Sequence, residues 1–185
     1  MIQFPKRYAD TVARLRVPSG FLILIVFAWF SHPTVRSLCI GLPVSLCGLA
    51  LRAWAAGCLA KNQQLATGGP YAHVRNPLYV GTLLVAAGVV ISAGNISLAV
   101  LFAAIFVLVY LPVIQLEEQH LRRLFPDYAI YAMTVPSLWP RFAPYKSASS
   151  SRFRFSLYLR NQEYQAGLAF VAGMLFLFWK VMARV

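Results

Sequence analysis

The chain has 185 residues, of which 59% are hydrophobic and 12% charged, and its 17 Lys and Arg face only 5 Asp and Glu for a net charge of +12. Soluble domains sit near half apolar and a quarter charged. The composition therefore excludes a disordered chain, which needs low hydrophobicity. Three cysteines are too few for a disulfide-built secreted scaffold. A nucleic-acid-binding domain would account for the basic excess but not for so few charges in total. A polytopic membrane protein of about one domain accounts for both.

A membrane span needs about 20 mainly apolar residues. In chain order, Val17 to Ser31 is apolar but short and ends before Pro33. It reads as a tilted short span or as half of a tight hairpin with the next one. Ser37 to Ala60 is long enough and is interrupted only by Arg52. Leu78 to Ser92 and Ile96 to Leu116 follow, separated by Ala93, Gly94 and Asn95. Gln165 to Ala183 is the last apolar run, broken only by Lys180. The expected fold is all-α: a membrane helical bundle of about five spans. Residues 1–146 form its core, 147–163 a basic Ser-rich linker, and 164–185 a C-terminal transmembrane helix. The runs are continuous and lack the period-two alternation of a transmembrane β-barrel. The N-terminus, with no apolar stretch among its first charges, does not read as a cleavable signal peptide.

Lys and Arg concentrate in cytoplasmic loops. With the N-terminus inside, Lys6, Arg7, Arg14, Arg16, Lys61, Arg75 and the seven basic residues from Arg122 to Arg160 share one face. Arg36, Lys180 and Arg184 fall on the other. If the first segment does not span, the split falls from thirteen against three to nine against seven. Five spans are therefore preferred. The basic residues mark a cytoplasmic face and its anionic lipids, not nucleic acid.

Arg52 lies inside a span, where an ionisable residue is either functional or long enough to snorkel to the surface. Cys39, Cys47 and Cys58 have no ligand spacing and read as small buried residues. Neither HExxH, GxSxG, a Walker loop nor GxGxxG is present. Glu117 and His120 stand at i, i+3, but carboxylate metal sites need two such pairs, so no metal is expected.

Two stretches look unlike lipid-facing helix. The first runs from Leu65 to Gly81. Gly68, Gly69 and Pro70 form a turn, Pro77 starts a helix, and Asn76 is placed to cap it. Such a helix start attracts a carboxylate or phosphate. The second begins at Glu117 and Glu118, directly after the fourth span. Paired carboxylates beside an anionic leaflet call for a cationic partner. Leu121, Leu124, Tyr128 and Tyr131 recur at helical spacing, as in an amphipathic helix lying on the interface.

The run Gly69-Pro70-Tyr71, then Val74-Arg75-Asn76-Pro77-x-Tyr79-x-Gly81, resembles a GPY…RHPxYxG motif. Two helices later, Glu117-Glu118-x-x-Leu121-x-x-x-Phe125-x-x-Tyr128-x-x-Tyr131 resembles EExxLxxxFGxxYxxY. Together they resemble the isoprenylcysteine carboxyl methyltransferase and phospholipid methyltransferase superfamily, over about Leu51 to Pro140. Leu51-Arg52-x-Trp54 is similar to the polar end of that family's preceding helix. The resemblance implies S-adenosylmethionine as methyl donor and a lipophilic or prenylated acceptor drawn from membrane lipids. It implies a cofactor pocket lined by Tyr71, Val74, Arg75, Asn76, Pro77 and Tyr79. Glu117 and Glu118 would face them, and Tyr128 and Tyr131 would close the pocket. Arg75 and the helix start suit the cofactor carboxylate, and either glutamate its amino group or sulfonium. Glu118 is the expected base for an acceptor that must lose a proton, with Tyr79 and Arg75 beside it. Asn76 stands where the motif has His, and Pro126 where it has Gly. A phospholipid N-methyltransferase, a nicotinamide-dependent sterol-reductase-like enzyme and a non-enzymatic scaffold remain as alternatives.

Overall fold

The computed structural model describes residues 4–5, 7–8, 11–12, 23–146 and 152–183. Residues 17–22 of the expected first span lie outside them. So do Lys6, Asp10, Arg14, Arg16, Arg184 and the Ser-rich 147–151. All regular structure among the described residues is helical. Helix α1 covers 23–30, α2 Val35–Cys58, α3 Pro77–Ala93 and α4 Ile96–Leu124. Short helices α5 (Tyr128–Thr134) and α6 (Phe155–Arg160) precede the final α7 (Tyr164–Met182). Among these, α2, α4 and α7 are long and apolar enough to cross a membrane. Helix α3, with 17 residues, is apolar but shorter. At 1.5 Å per residue it reaches about 26 Å, close to the thickness of a hydrocarbon core.

The boundaries follow local chemistry. Thr34 Oγ1 accepts from Ser37 N at 3.1 Å and Thr34 N donates to Ser37 Oγ at 2.9 Å, a capping box that starts α2. Gly94, with φ +65°, ends α3 in the left-handed conformation that glycine adopts without strain. Asn95 Oδ1 then accepts from Ser97 N at 2.9 Å and starts α4. Within α4, Phe106–Tyr110 widens to a π-helical turn just before Pro112. Pro112 has no N–H to offer the Leu108 carbonyl. Tyr8 Oη supplies that bond instead, at 2.8 Å.

Helices α2 and α3 pack most closely. A Cβ on Gly41 would meet Gly88 O at 2.2 Å, and one on Gly48 would meet Gly81 O at 2.7 Å. Glycines seven residues apart on both helices thus let the two backbones touch. Ser45 Oγ donates across this seam to Val85 O at 3.0 Å. On α7, by contrast, nothing among the described residues lies within 4 Å of a Cβ at Gly173. Of the cysteines, only Cys58 is buried; Cys39 and Cys47 are exposed on the apolar surface of α2. The expectation of three buried cysteines is corrected because an apolar span needs no protein cover on its outer side.

Pro126 divides the expected amphipathic stretch. Phe125 is extended, with φ −125° and ψ 110°, because the residue before proline avoids the helical region. Leu121 and Tyr128 therefore belong to different helices. Tyr128, Tyr131 and Val135 fold back into a buried cluster with Leu65, Leu121, Phe125 and Tyr145.

Candidate functional site

The two motifs meet. Gly69 turns at φ +58°, and a Cβ there would sit 2.9 Å from Cys58 Sγ. That close approach starts the 3₁₀ turn Gly69–Ala72. The irregular run after it is hydrogen-bonded to the segment beyond α5. Arg75 N donates to Pro136 O at 2.9 Å and Asn76 N to Ser137 O at 3.2 Å. Tyr145 N donates to Ala72 O at 2.9 Å, and Tyr131 Oη to Tyr71 O at 2.7 Å.

Arg75 and Glu118 form a buried ion pair. Arg75 Nη2 lies 3.0 Å from Glu118 Oε1 and 3.1 Å from Oε2, with Nε 3.2 Å from Oε1. Nη1 donates to Ala132 O at 2.6 Å and Val135 O at 3.0 Å. A guanidinium has five N–H groups, and all five are therefore engaged by the protein. Glu118 Oε1 also accepts from Asn76 Nδ2 at 3.0 Å and Ser137 Oγ at 2.8 Å.

This corrects three expectations. Asn76 starts α3 but makes no side-chain cap, because its amide is turned to Glu118 and Ser137. Glu118 does not line the neighbouring cavity, because both its oxygens are turned to Arg75, Asn76 and Ser137. Arg75 has no N–H left for a ligand carboxylate. Sequence reasoning also missed Ser137, whose only signal was its place in the Pro-rich run after α5.

Beside this quartet lies a cavity of ≈ 940 Å³, at the upper end of small-molecule sites. Of the expected cofactor residues, Tyr71, Arg75, Asn76, Pro77, Tyr79, Glu117, Tyr128 and Tyr131 line it, and Val74 and Glu118 do not. Val74 is buried behind the wall. Glu117 and His120 are exposed within the site, on one side of α4. The ring of Tyr79 stands edge-on to Tyr110, at 6.2 Å between centroids. Arg122 lies 5.7 Å over the Tyr128 ring.

The hydroxyls of Tyr71 and Tyr128 are buried without a hydrogen-bond partner among the described residues, an arrangement that costs about 1–3 kcal/mol each. Burial pushes the Tyr71, Tyr128 and Tyr131 phenols well above their ordinary range, and the Glu118 carboxylate adds to the effect at Tyr128. All three are neutral donors at physiological pH.

The C-terminal segment completes the wall with Asn161, Gln162, Glu163, Gln165 and Ala166. Asn161 Nδ2 donates to Ala56 O and Leu59 O, both at 2.9 Å, and so satisfies the end of α2. Arg52 lines the cavity too and pairs with Glu163, Nε to Oε1 at 2.5 Å. Arg52 thus has a counter-charge at the start of α7. That partner was legible only as one of five carboxylates, at the polar edge of the last apolar run. Among the described residues, no three His, Cys, Asp or Glu side chains come together as a metal site.

Fold and apolar helices together define an integral membrane protein, with a cavity lined by the ends of its helices. The sequence pattern of the family described as phospholipid methyltransferase matches residues 37–128. The yeast Schizosaccharomyces pombe protein-S-isoprenylcysteine O-methyltransferase is 32% identical, over 71% of this chain and 58% of its own length. The nickel-cobalt-cadmium resistance protein NccN of Alcaligenes xylosoxydans xylosoxydans is 31% identical, over 72% of this chain and 62% of its own. The cobalt-zinc-cadmium resistance protein CzcN of Cupriavidus metallidurans is 36% identical, over 55% and 47%. The chain thus spans about half to three fifths of these relatives. No solved structure matches. The chain belongs to the isoprenylcysteine carboxyl methyltransferase and phospholipid methyltransferase superfamily.

Proposed function

We propose that the protein is an S-adenosylmethionine-dependent methyltransferase acting on a lipophilic acceptor of the isoprenylcysteine-carboxylate type. The observation that carries this is the cavity itself. It is built where the two motifs meet, and two buried tyrosine hydroxyls there lack partners. The residues fit the cofactor. When bound, S-adenosylmethionine supplies an electrophilic methyl group on a sulfonium sulfur. The faces of Tyr71, Tyr79 and Tyr128 suit a cation and an adenine ring. The hydroxyls of Tyr71 and Tyr128, closed off in the wall without partners among the described residues, would meet polar atoms of the ligand only when the wall opens to admit it. Glu117, exposed in the cavity, suits an ammonium.

Tyr79, Glu117 and the tyrosine pair orient donor and acceptor, and such positioning can supply most of the rate of a displacement. Leu65, Val113, Leu116, Leu121 and Phe125 line the site with apolar surface and limit water. A carboxylate acceptor arrives ionised and needs no base. For an acceptor that must lose a proton, Glu117 replaces Glu118 in that role, with His120 one turn further along α4. The positive-inside bias supports a site on the cytoplasmic side of a plasma, inner or reticulum-like membrane.

The family description favours a second reading, methylation of a phospholipid amine. Transfer of labelled methyl groups to a membrane lipid extract tests both, since mobility of the product separates phospholipid from prenyl acceptors. Calorimetry in detergent should show cofactor binding that weakens about tenfold or more in Glu117→Ala combined with Tyr128→Phe. Unchanged affinity in that variant would sink the pocket assignment.

A further inference from the structure

The cavity has a second polar group that the cofactor reading leaves without a task. Arg52 Nε donates to Glu163 Oε1, and Nη1 to Thr82 Oγ1 and to Leu78 O at 3.5 Å. Nη2 has no partner among the described residues, and neither has Glu163 Oε2. Neither atom is sealed off, for the buried side-chain atoms without partners are those of Tyr71, Ser92 and Tyr128. Both residues line the cavity. An unoccupied donor edge and an unoccupied carboxylate oxygen thus sit side by side on one wall.

The backbone around them is held in an uncommon conformation. Among the described residues, two non-glycine residues have left-handed backbone, Asn62 at φ 58° and Gln162 at φ 55°. Both line this cavity, and Gln162 directly precedes Glu163. Such positions cost free energy and cluster at ligand sites. Glu163 also comes from beyond residue 128, where the match to the family pattern ends. The element that completes this wall is therefore separate from the one that forms the cofactor motifs.

We infer that Arg52 and Glu163 form the acceptor's polar subsite. Arg52 Nη2 takes an anionic oxygen of the acceptor, and Glu163 Oε2 takes an N–H a few atoms away. The inference rests on the methyltransferase reading. The chemistry it selects is an anionic oxygen next to an amide or ammonium on a lipid. An N-acylated prenylcysteine offers a carboxylate and an amide. An ethanolamine phospholipid offers a phosphate and an ammonium. A bare fatty acid offers only the anionic oxygen and binds less well.

The test uses the full chain in detergent, with S-adenosylmethionine, N-acetylated S-prenylcysteine and phosphatidylethanolamine micelles as probes. Equilibrium retention of each radiolabelled acceptor is measured beside turnover. Arg52→Gln should raise KM and weaken retention for the acceptor used by at least about tenfold, the usual effect of losing a hydrogen bond to a charged group. Cofactor affinity should stay within about twofold. Glu163→Gln should lower retention of the N–H-bearing acceptor relative to a fatty acid. Unchanged KM and retention in Arg52→Gln would overturn the subsite, as would equal loss of cofactor and acceptor. Should Arg52→Gln not fold, Arg52→Lys keeps the charge but not the second donor edge. The same KM rise is expected of it, and an unchanged KM overturns the proposal. Acceptor retention that depends on Arg52 in a chain that never binds cofactor would leave the subsite standing and remove the methyltransferase reading.

Discussion

Two arginine–glutamate pairs stand beside one cavity, and they differ in how fully the protein occupies each guanidinium. Arg75 directs all five N–H groups at Glu118, Ala132 and Val135, and its side chain is 10% exposed. Arg52 leaves Nη2 open and is 22% exposed. The first pair joins α4 to the loop before α3 and to the segment after α5. The second joins α2 to the start of α7. A saturated guanidinium is a strut, whereas one with a free edge can still hold a ligand. Burial of a charge therefore says little about its role until its donors are counted.

The comparison breaks most visibly at the strut. Removing one partner of a buried, saturated pair leaves an uncompensated charge and costs about 3–5 kcal/mol. Arg75→Ala or Glu118→Ala should lower the unfolding midpoint in detergent sharply and abolish cofactor binding with it. The double replacement Arg75→Met with Glu118→Leu should lose less than the sum of the singles, which a double-mutant cycle would show. Equal and additive losses would mean that the pair is not the strut described.

At the open pair the loss should be smaller. Glu163→Gln removes charge from a more exposed partner set, and its stability cost should stay near 1–2 kcal/mol. A loss as large as that of Glu118→Ala would make the two pairs equivalent and remove the distinction.

The tyrosines sharpen the contrast between strut and ligand site. Tyr71→Phe and Tyr128→Phe remove hydroxyls that have no protein partner. Stability without ligand should stay level or rise by about 1 kcal/mol, while cofactor affinity falls. A hydroxyl that matters only to the fold would give the opposite pattern.

A gentler probe is alkaline pH. Tyr71, Tyr128 and Tyr131 are raised above their ordinary pKa by burial. Above about pH 10 the unfolded chain ionises these phenols and the folded chain does not, so the unfolded state binds fewer protons and stability falls with pH. Below about pH 10 both states are protonated and this contribution is fully present. Midpoints recorded from about pH 8 to 11 should decline only in the upper part of the range, and less steeply in Tyr71→Phe with Tyr131→Phe.

Much of the fold was legible because spans have a strong one-dimensional signal. The expected Leu78 to Ser92 and Gln165 to Ala183 differ from α3 and α7 by one residue at each end. The close α2–α3 seam had a readable sign as well, glycines seven apart at Gly41 and Gly48 and at Gly81 and Gly88. The candidate site was legible in membership more than in role. Tyr71, Tyr79, Glu117 and Tyr128 line the cavity, whereas Glu118 turns away to Arg75. Neighbouring residues on a helix point about 100° apart, and only packing decides which one faces inward. Arg52 announced itself by standing inside a span, yet its partner lies 111 residues away.

The sequence by itself determined the membrane class, the helical spans and the two motifs that converge. Each depends on local composition or on short spacing, which the chain carries along its own length. Only the tertiary structure decided that Asn76 turns to Glu118, that Arg75 is saturated, and that α7 adds Glu163 to the cavity. Those outcomes depend on which donors and acceptors meet across distant segments, where each hydrogen bond taken by the protein is one a ligand cannot have.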